Sequence, residues 1–319
     1  MATSGTATFT RTRNQVIEAA ARKVRAIRAG QTMGPQMLAD FAEALNVMVK
    51  HWQGRGLHVW TVAEATLFPQ VGQTQYALAA SGADHATLSY VATELAVAGT
   101  SGATSITVDD DDGVADNDHI GIVLDDGTLF WTTVNGTPAS NVITLDNALT
   151  GAASAGNAVY AYTSKIVRPL KIVDARRYTV ASARETPLAA MMARLDYRAL
   201  PNKSQLGTVT QAFYDPALST GKLSLWLTPS TVGDLINFTW WRPIEDFNAA
   251  GDNPDLPTEW MQALIFNLAL VMAPEFSVAQ EDLAGPFGIG TLAAQYLEEV
   301  SGFDREAEPV QFGLDMTGY

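Results

Sequence analysis

Asp252-Asn253-Pro254-Asp255-Leu256-Pro257-Thr258-Glu259-Trp260-Met261-Gln262-Ala263-Leu264-Ile265-Phe266-Asn267-Leu268-Ala269-Leu270-Val271-Met272-Ala273 reads as a rigid turn feeding a helix that is apolar almost all round. Pro254 and Pro257 stiffen the turn, Glu259 suits the positive end of the helix dipole, and Pro274 stops the helix. Between Trp260 and Ala273 only Gln262 and Asn267 are polar. A helix without a polar face must be covered on every side. Trp260, Leu264, Phe266 and Val271 are therefore the candidate subunit-packing residues.

Three other helices are expected to cover it, with a fourth nearby. Thr12-Arg13-Asn14-Gln15 is a capping box, and Val16, Ile17, Ala20, Val24 and Ile27 follow at helical spacing, which predicts a helix over 12–29. After a short loop, Pro35 opens a second helix over 35–53 with Leu38, Phe41, Leu45, Met48 and Trp52 on one face. The loop is short enough to make these two antiparallel neighbours. A last helix is expected over 289–302, and Leu188, Met191, Met192 and Leu195 suggest another over 186–200.

Between the helices the pattern turns to strands: 59–67, 74–78, 207–214, 222–227 and 234–241. At about Ala98 the composition shifts to Gly, Ala, Thr, Val and Asp. Short strand candidates then recur at 105–108, 119–124, 129–134, 141–145 and 158–162, with the hairpin signal Asp125-Asp126-Gly127 between two of them. The expected fold class is α+β: a helical bundle of N- and C-terminal helices, an antiparallel β region, and a separate inserted small β domain. The expected parts are a body of 1–97 and 165–304, an inserted β domain of 98–164 and an extended tail of 305–319. In that tail Val310, Phe312, Leu314 and Met316 alternate at strand spacing without an evident partner strand.

Charge is segregated. Residues 1–55 hold 8 basic and 3 acidic side chains, 56–164 hold 12 acids and no Lys or Arg, 165–243 hold 11 bases and 5 acids, and 244–319 hold one base and 14 acids. Such a chain can complement copies of itself or a partner. With a net charge of −14 it is a poor general ligand for nucleic acid, whose affinity rests on phosphate neutralisation. Met1–Thr6 has neither the basic nor the apolar region of a signal peptide, so assembly in the cytoplasm is expected.

The chemistry-bearing residues form no catalytic pattern. There is no cysteine, and His51, His58, His85 and His119 have no zinc spacing. Asp109–Asp112 before Gly113 would put Val108 at the first position of an EF-hand register, where it cannot ligate. Gly285-Pro286-Phe287-Gly288-Ile289-Gly290 lacks the Gly-Lys-Ser/Thr ending of a phosphate loop. Glu298 and Glu299 are adjacent on a helix and diverge. No catalytic, cofactor or metal residue is assigned, and an enzyme is not expected.

Several segments together resemble the head-to-tail adaptors of short-tailed bacteriophages, a family also described as packaged-DNA-stabilisation or tail tubular proteins. They are Met1–Thr6 before Phe9; Glu43–Lys50 with Trp52, Gly56 and Leu57; Leu67-Phe68-Pro69, Gly72 and Tyr76; Pro169–Arg177; Leu223–Pro229; and Pro254–Trp260 with Ala263 and Leu264. Their order and spacing cover nearly the whole chain outside 98–164. The resemblance implies a structural virion protein at the head–tail junction: a ring, expected to be a dodecamer, docked under the portal protein. The ring would surround the DNA channel without binding DNA specifically and hold the tail nozzle, with tail fibres a further partner. It also favours the portal as the partner of Val310, Phe312, Leu314, Met316 and Tyr319. Two readings from other classes stand beside it, a tail-associated peptidoglycan hydrolase and a receptor-binding or capsid-decorating protein.

Overall fold

The computed structural model describes residues 9–56, 61–189 and 191–303. It is mixed α/β with several antiparallel sheets. The helices are α1 (Arg13–Lys23), α2 (Pro35–Gly54), α3 (Arg194–Ala199), α4 (Met261–Met272), α5 (Gln280–Ala284) and α6 (Ile289–Phe303). Two compact units divide the chain: one joins Met1–Thr61 with Ile244–Tyr319, and the other is Val62–Pro243.

In the first unit α4 packs against α1, α2 and α6. Val16, Ile17 and Ala20 of α1, Phe41, Leu45 and Trp52 of α2, Leu264 and Leu268 of α4, and Ala293 of α6 share one core. The capping box at Thr12 forms as the sequence implies. Gln15 N–H donates to the Thr12 hydroxyl oxygen at 3.5 Å, and Thr12 N–H donates to Gln15 Oε1 at 3.1 Å. The far end of α1 departs from expectation, because the helix stops at Lys23 rather than continuing to 29. Arg25 takes a left-handed conformation (φ 61°), and Ala26 N–H bonds back to Ala21 O while Arg25 N–H bonds to Arg22 O. That is a Schellman cap with arginine at the position glycine usually fills. Val24 and Ile27 stay buried beyond it. The segment leading into α4 is pinned to α2. Asn46 accepts from Phe247 N–H at 2.9 Å and donates to Phe247 O at 3.3 Å, and Lys50 pairs with Asp246 at 2.7 Å.

The second unit holds the sheets. A five-stranded sheet runs in the order Arg184–Pro187, Lys171–Thr179, Asp234–Trp241, Val62–Leu67, Ala86–Thr87, with antiparallel neighbours throughout. A three-stranded sheet orders Gln211–Asp215, Gly221–Trp226 and Gln75–Leu78. Tyr76, Leu78, Leu223 and Leu225 of this sheet share a core with Ala65, Leu67, Phe238 and Trp240 of the larger one. The helix expected over 186–200 is a correction. Arg184–Pro187 pairs with the sheet edge, only Arg194–Ala199 is helical, and Leu195 is 77% exposed. Leu188 and Met191 pack on the sheet core instead, so their apolar spacing reports an edge strand and its exit.

A further four-stranded sheet orders Val91–Glu94, Ala158–Tyr162, His119–Val123 and Leu129–Thr133, beside the pair Ser105–Thr107 and Val142–Thr144. It has its own core of Ile106, Ile120, Ile122, Val134, Ile143 and Val159. Its first strand begins before Ala98, where the composition changes, because Val91–Glu94 pairs along the whole of Ala158–Ala161. Phe68, Tyr160, Tyr162 and Leu235 form a second cluster that ties this sheet to the larger one within the unit.

One glycine in this sheet is fixed by a close approach. A Cβ at Gly121 would sit 2.7–2.8 Å from three indole carbons of Trp131. Gly121→Ala must push that ring aside, and overpacking of this kind lowers stability by about 1–3 kcal/mol. Urea unfolding should show that loss together with a changed near-ultraviolet circular dichroism spectrum. An unchanged spectrum would mean that the ring is not held there.

Candidate functional site

The helical unit carries a groove of about 690 Å³ over α4, walled by α2 and α6. Helical spacing puts Asp40, Glu43, Ala44, Val47 and His51 of α2 along one wall; Leu270 and Val271 of α4 supply the floor, and Leu297 of α6 closes it. Val47 is 64% and Val271 49% exposed, while Trp52 beneath is buried, its ring 5.8 Å from that of Trp260. Asn267, one of α4's two polar positions, donates from Nδ2 to Ala263 O at 2.9 Å and to Ala293 O at 3.0 Å. It thereby ties α4 to α6 at the groove. Asp40, Glu43 and Glu275 edge the opening, with Arg55 and His51 at one end. An apolar floor with an acidic edge suits docking by a macromolecule better than turnover of a small substrate.

The four residues expected to pack between subunits separate here into two kinds, and only one kind is accessible. Trp260, Leu264 and Phe266 lie in the unit's own core, at 2%, 0% and 7% exposure, because α1, α2 and α6 cover them. Their apolar surface is used inside the chain and is not offered to a neighbour. Val271 alone of the four faces the groove and solvent. The tail residues Val310, Phe312, Leu314, Met316 and Tyr319 lie outside the described residues.

A second concentration of chemistry sits in the sheet unit. His85 stacks on Trp131 with ring centroids 3.8 Å apart and an interplanar angle of 3°, and its Nδ1 shares a 2.6 Å hydrogen bond with the Tyr162 hydroxyl. The His119 ring stands edge-on, 5.7 Å from that of His85. Burial, with the nearby Lys165 charge and His119, lowers the His85 pKa to about 3. Burial also lowers that of His119, followed by the Lys165 charge, against the opposing pull of Asp118. Both imidazoles are neutral at pH 7. Lys165 itself is tied to Ala83 O. The arrangement is a set of stacked rings joining strands, and His85 and Tyr162 are already engaged with each other.

Asp110, Asp111 and Asp112 can bring one carboxylate oxygen each within 4.8 Å of one another. The turn already uses two of them: Asp110 Oδ1 accepts from Asp112 N–H at 2.9 Å and Asp111 Oδ2 from Asn141 N–H at 3.0 Å. The glycine-rich stretch before α6 is a tight connector. Gly288 N–H donates to Gly285 O at 2.8 Å, and a Cβ at Gly288 would meet Leu283 O at 2.5 Å. Among the described residues no helix is long and apolar enough to cross a membrane.

Comparison with known proteins found no family model that matches the chain and no curated protein that matches it.

The groove residues Asp40, Glu43 and Leu297 carry no local sequence signal of their own. Val47 was legible only as an apolar residue off the main α2 stripe of Leu38, Phe41, Leu45, Met48 and Trp52.

Proposed function

We propose that the chain is a structural head-to-tail adaptor of a short-tailed bacteriophage. In this reading its copies form a ring, a dodecamer, under the portal protein at the head–tail junction, around the DNA channel, and hold the tail nozzle and, where present, fibres. The helices from the two chain ends act as the ring-forming body, and the β module over about 98–164 as an insertion facing outward.

One observation carries the reading. Two of the segments of resemblance, about 200 residues apart, share one core, and those around Leu67, Tyr76, Ala175 and Leu223 share another. Leu45, Met48, Val49 and Trp52 of α2 join Trp260, Ala263 and Leu264 at the start of α4. The exposed apolar groove beside that core supports an assembly role rather than catalysis. The net charge of −14 suits a ring through which DNA passes without sticking.

The test is assembly with the portal of the same phage. The full chain should co-purify with portal, and negative-stain images should show an added ring. The chain cut after Arg305 should stay folded and lose stable attachment, because in this reading the alternating apolar residues that follow lie along portal. Undiminished attachment of the cut chain would move the docking surface to the helices. Failure of the full chain to bind portal, or cleavage of peptidoglycan by it, would overturn the reading.

A further inference from the structure

α4 carries surfaces of opposite charge on opposite sides. Asn267, Leu270 and Val271 floor the groove edged by Asp40, Glu43 and Glu275. Gln262 and Ile265 floor a smaller depression of about 400 Å³, edged by Arg11, Arg22 and Lys23 of α1 and the turn before it. At 3.6 residues per turn, the mean directions of these two sets of α4 side chains differ by roughly 160°. The basic edge is not exclusively basic, since Glu18 lies one turn before Arg22 and is half-buried. The acidic edge includes Arg55 and His51 at its end. Among the described residues none of Asp40, Glu43, Glu275, Arg11, Arg22 and Lys23 takes part in an ion pair. By contrast Arg25 next door is held by Asp282 at 3.3 Å. The Lys23 ammonium lies 4.6 Å from the centroid of the Phe266 ring, so this edge is built on the core rather than hung from a loose loop.

We infer that the acid-edged groove takes the Arg11–Arg22–Lys23 edge of a second copy of this chain, so that copies join head to tail. Two complementary patches on opposite sides of one rigid helix cannot satisfy each other within a chain. They can do so between chains, and every joined copy leaves one patch of each sign for the next. A contact of this heterologous kind closes into a ring or runs on as a filament, unlike a two-fold dimer, in which a patch meets itself. Val47 and Val271 supply the apolar centre and the charges the orientation, the usual division of an interface into core and rim. The closure into a ring rests on the adaptor reading; the contact itself does not.

The absence of cysteine makes the contact testable by cross-linking on an otherwise full and unaltered chain. Val47→Cys and Arg22→Cys are both at exposed positions. Mixed under oxidising conditions without portal, the two variants should give a disulfide-linked dimer that fades as salt is raised, and neither should give it alone. Glu43→Lys and Arg22→Glu should each weaken self-association in sedimentation by about tenfold, and a mixture of the two should recover it as alternating copies, since the unaltered edge of one meets the unaltered groove of the other and the two altered patches are again opposite in charge. No cross-link in the mixture overturns the proposal. So does Val47→Cys linking to itself, which would make the groove a two-fold interface. An intramolecular link in a Val47→Cys, Thr317→Cys chain, with none between chains, would give the groove to the chain's own C-terminal segment and likewise overturn it. Because portal is left out, a chain that cross-links as expected yet never binds portal keeps this contact and loses the adaptor function.

Discussion

Leu264→Ala lowers the stability of the helical unit by about 2–5 kcal/mol, whereas Val271→Ala, seven residues further along the same helix, changes it by less than about 1 kcal/mol. Leu264 has no exposed surface and sits on the helix that α1, α2 and α6 all touch. Truncating it leaves a cavity that three packed neighbours cannot fill by a shared movement, and both the lost transfer energy and the lost contacts count. Trp260→Ala belongs with Leu264, since its indole is buried against Trp52. Val271 is about half exposed, so its truncation removes little from the core. Its effect should fall on self-association instead. Urea midpoints at an unchanged slope give the stabilities. If Leu264→Ala left the midpoint in place and abolished self-association, the interior assignment of this face would be wrong.

The sheet unit loses stability as the pH falls from about 6.5 toward 3. An unfolded His85 titrates near 6.5, and in the folded chain its pKa is lowered to about 3 by burial and then by Lys165 and His119. Between those values the unfolded state takes up a proton that the folded state refuses. The contribution is therefore complete above the unfolded value and is lost as the pH drops through the window, at no more than about 1.4 kcal/mol per pH unit for one such proton. Summed over the window it is on the order of 3 kcal/mol once the ring's partial exposure is discounted. His119 adds a smaller effect of the same sign. His85→Phe keeps a ring against Trp131 but removes the titrating group. The near-ultraviolet unfolding midpoint of that variant should fall less steeply with acid than that of the unaltered chain. Equal slopes would show that groups other than His85 carry the whole acid response.

What could be read in the sequence was what neighbours in the chain decide. Thr12 and Gln15 are three residues apart, and their reciprocal bonds form as a capping box requires. Asp125-Asp126-Gly127 turns the hairpin as expected, with Gly127 at φ 80°. The apolar run from Trp260 to Met272 is the central helix. Misreadings arose where two structures share one pattern. Leu188 and Met191 satisfy helical spacing but pack beside an edge strand. The end of α1 was hidden because Arg25, without the glycine that usually marks it, adopts the left-handed turn. Trp260, Leu264 and Phe266 looked like surface for a neighbour because no local feature says how much of an apolar helix its own chain will cover. The groove needed three helices drawn from distant parts of the chain. The His85–Tyr162 bond likewise joins residues 77 positions apart.

The helical unit is built from both chain ends, with Val62–Pro243 lying between them in the sequence. On the ribosome, α1 and α2 emerge before α4, carrying Val16, Ile17, Phe41, Leu45 and Trp52 toward a helix that does not yet exist. Roughly 200 residues separate the end of α2 from the start of α4, which at about 5–20 residues per second is a wait of roughly 10–40 s. The intervening sheets can form during that time, since their strands are all present before Pro243 leaves the exit tunnel. The nascent chain therefore passes through a state with its β structure complete and two helices holding an unmatched apolar face. That is the interval in which a chaperone would find it, and in which premature joining of chains through those faces would compete with the arrival of α4.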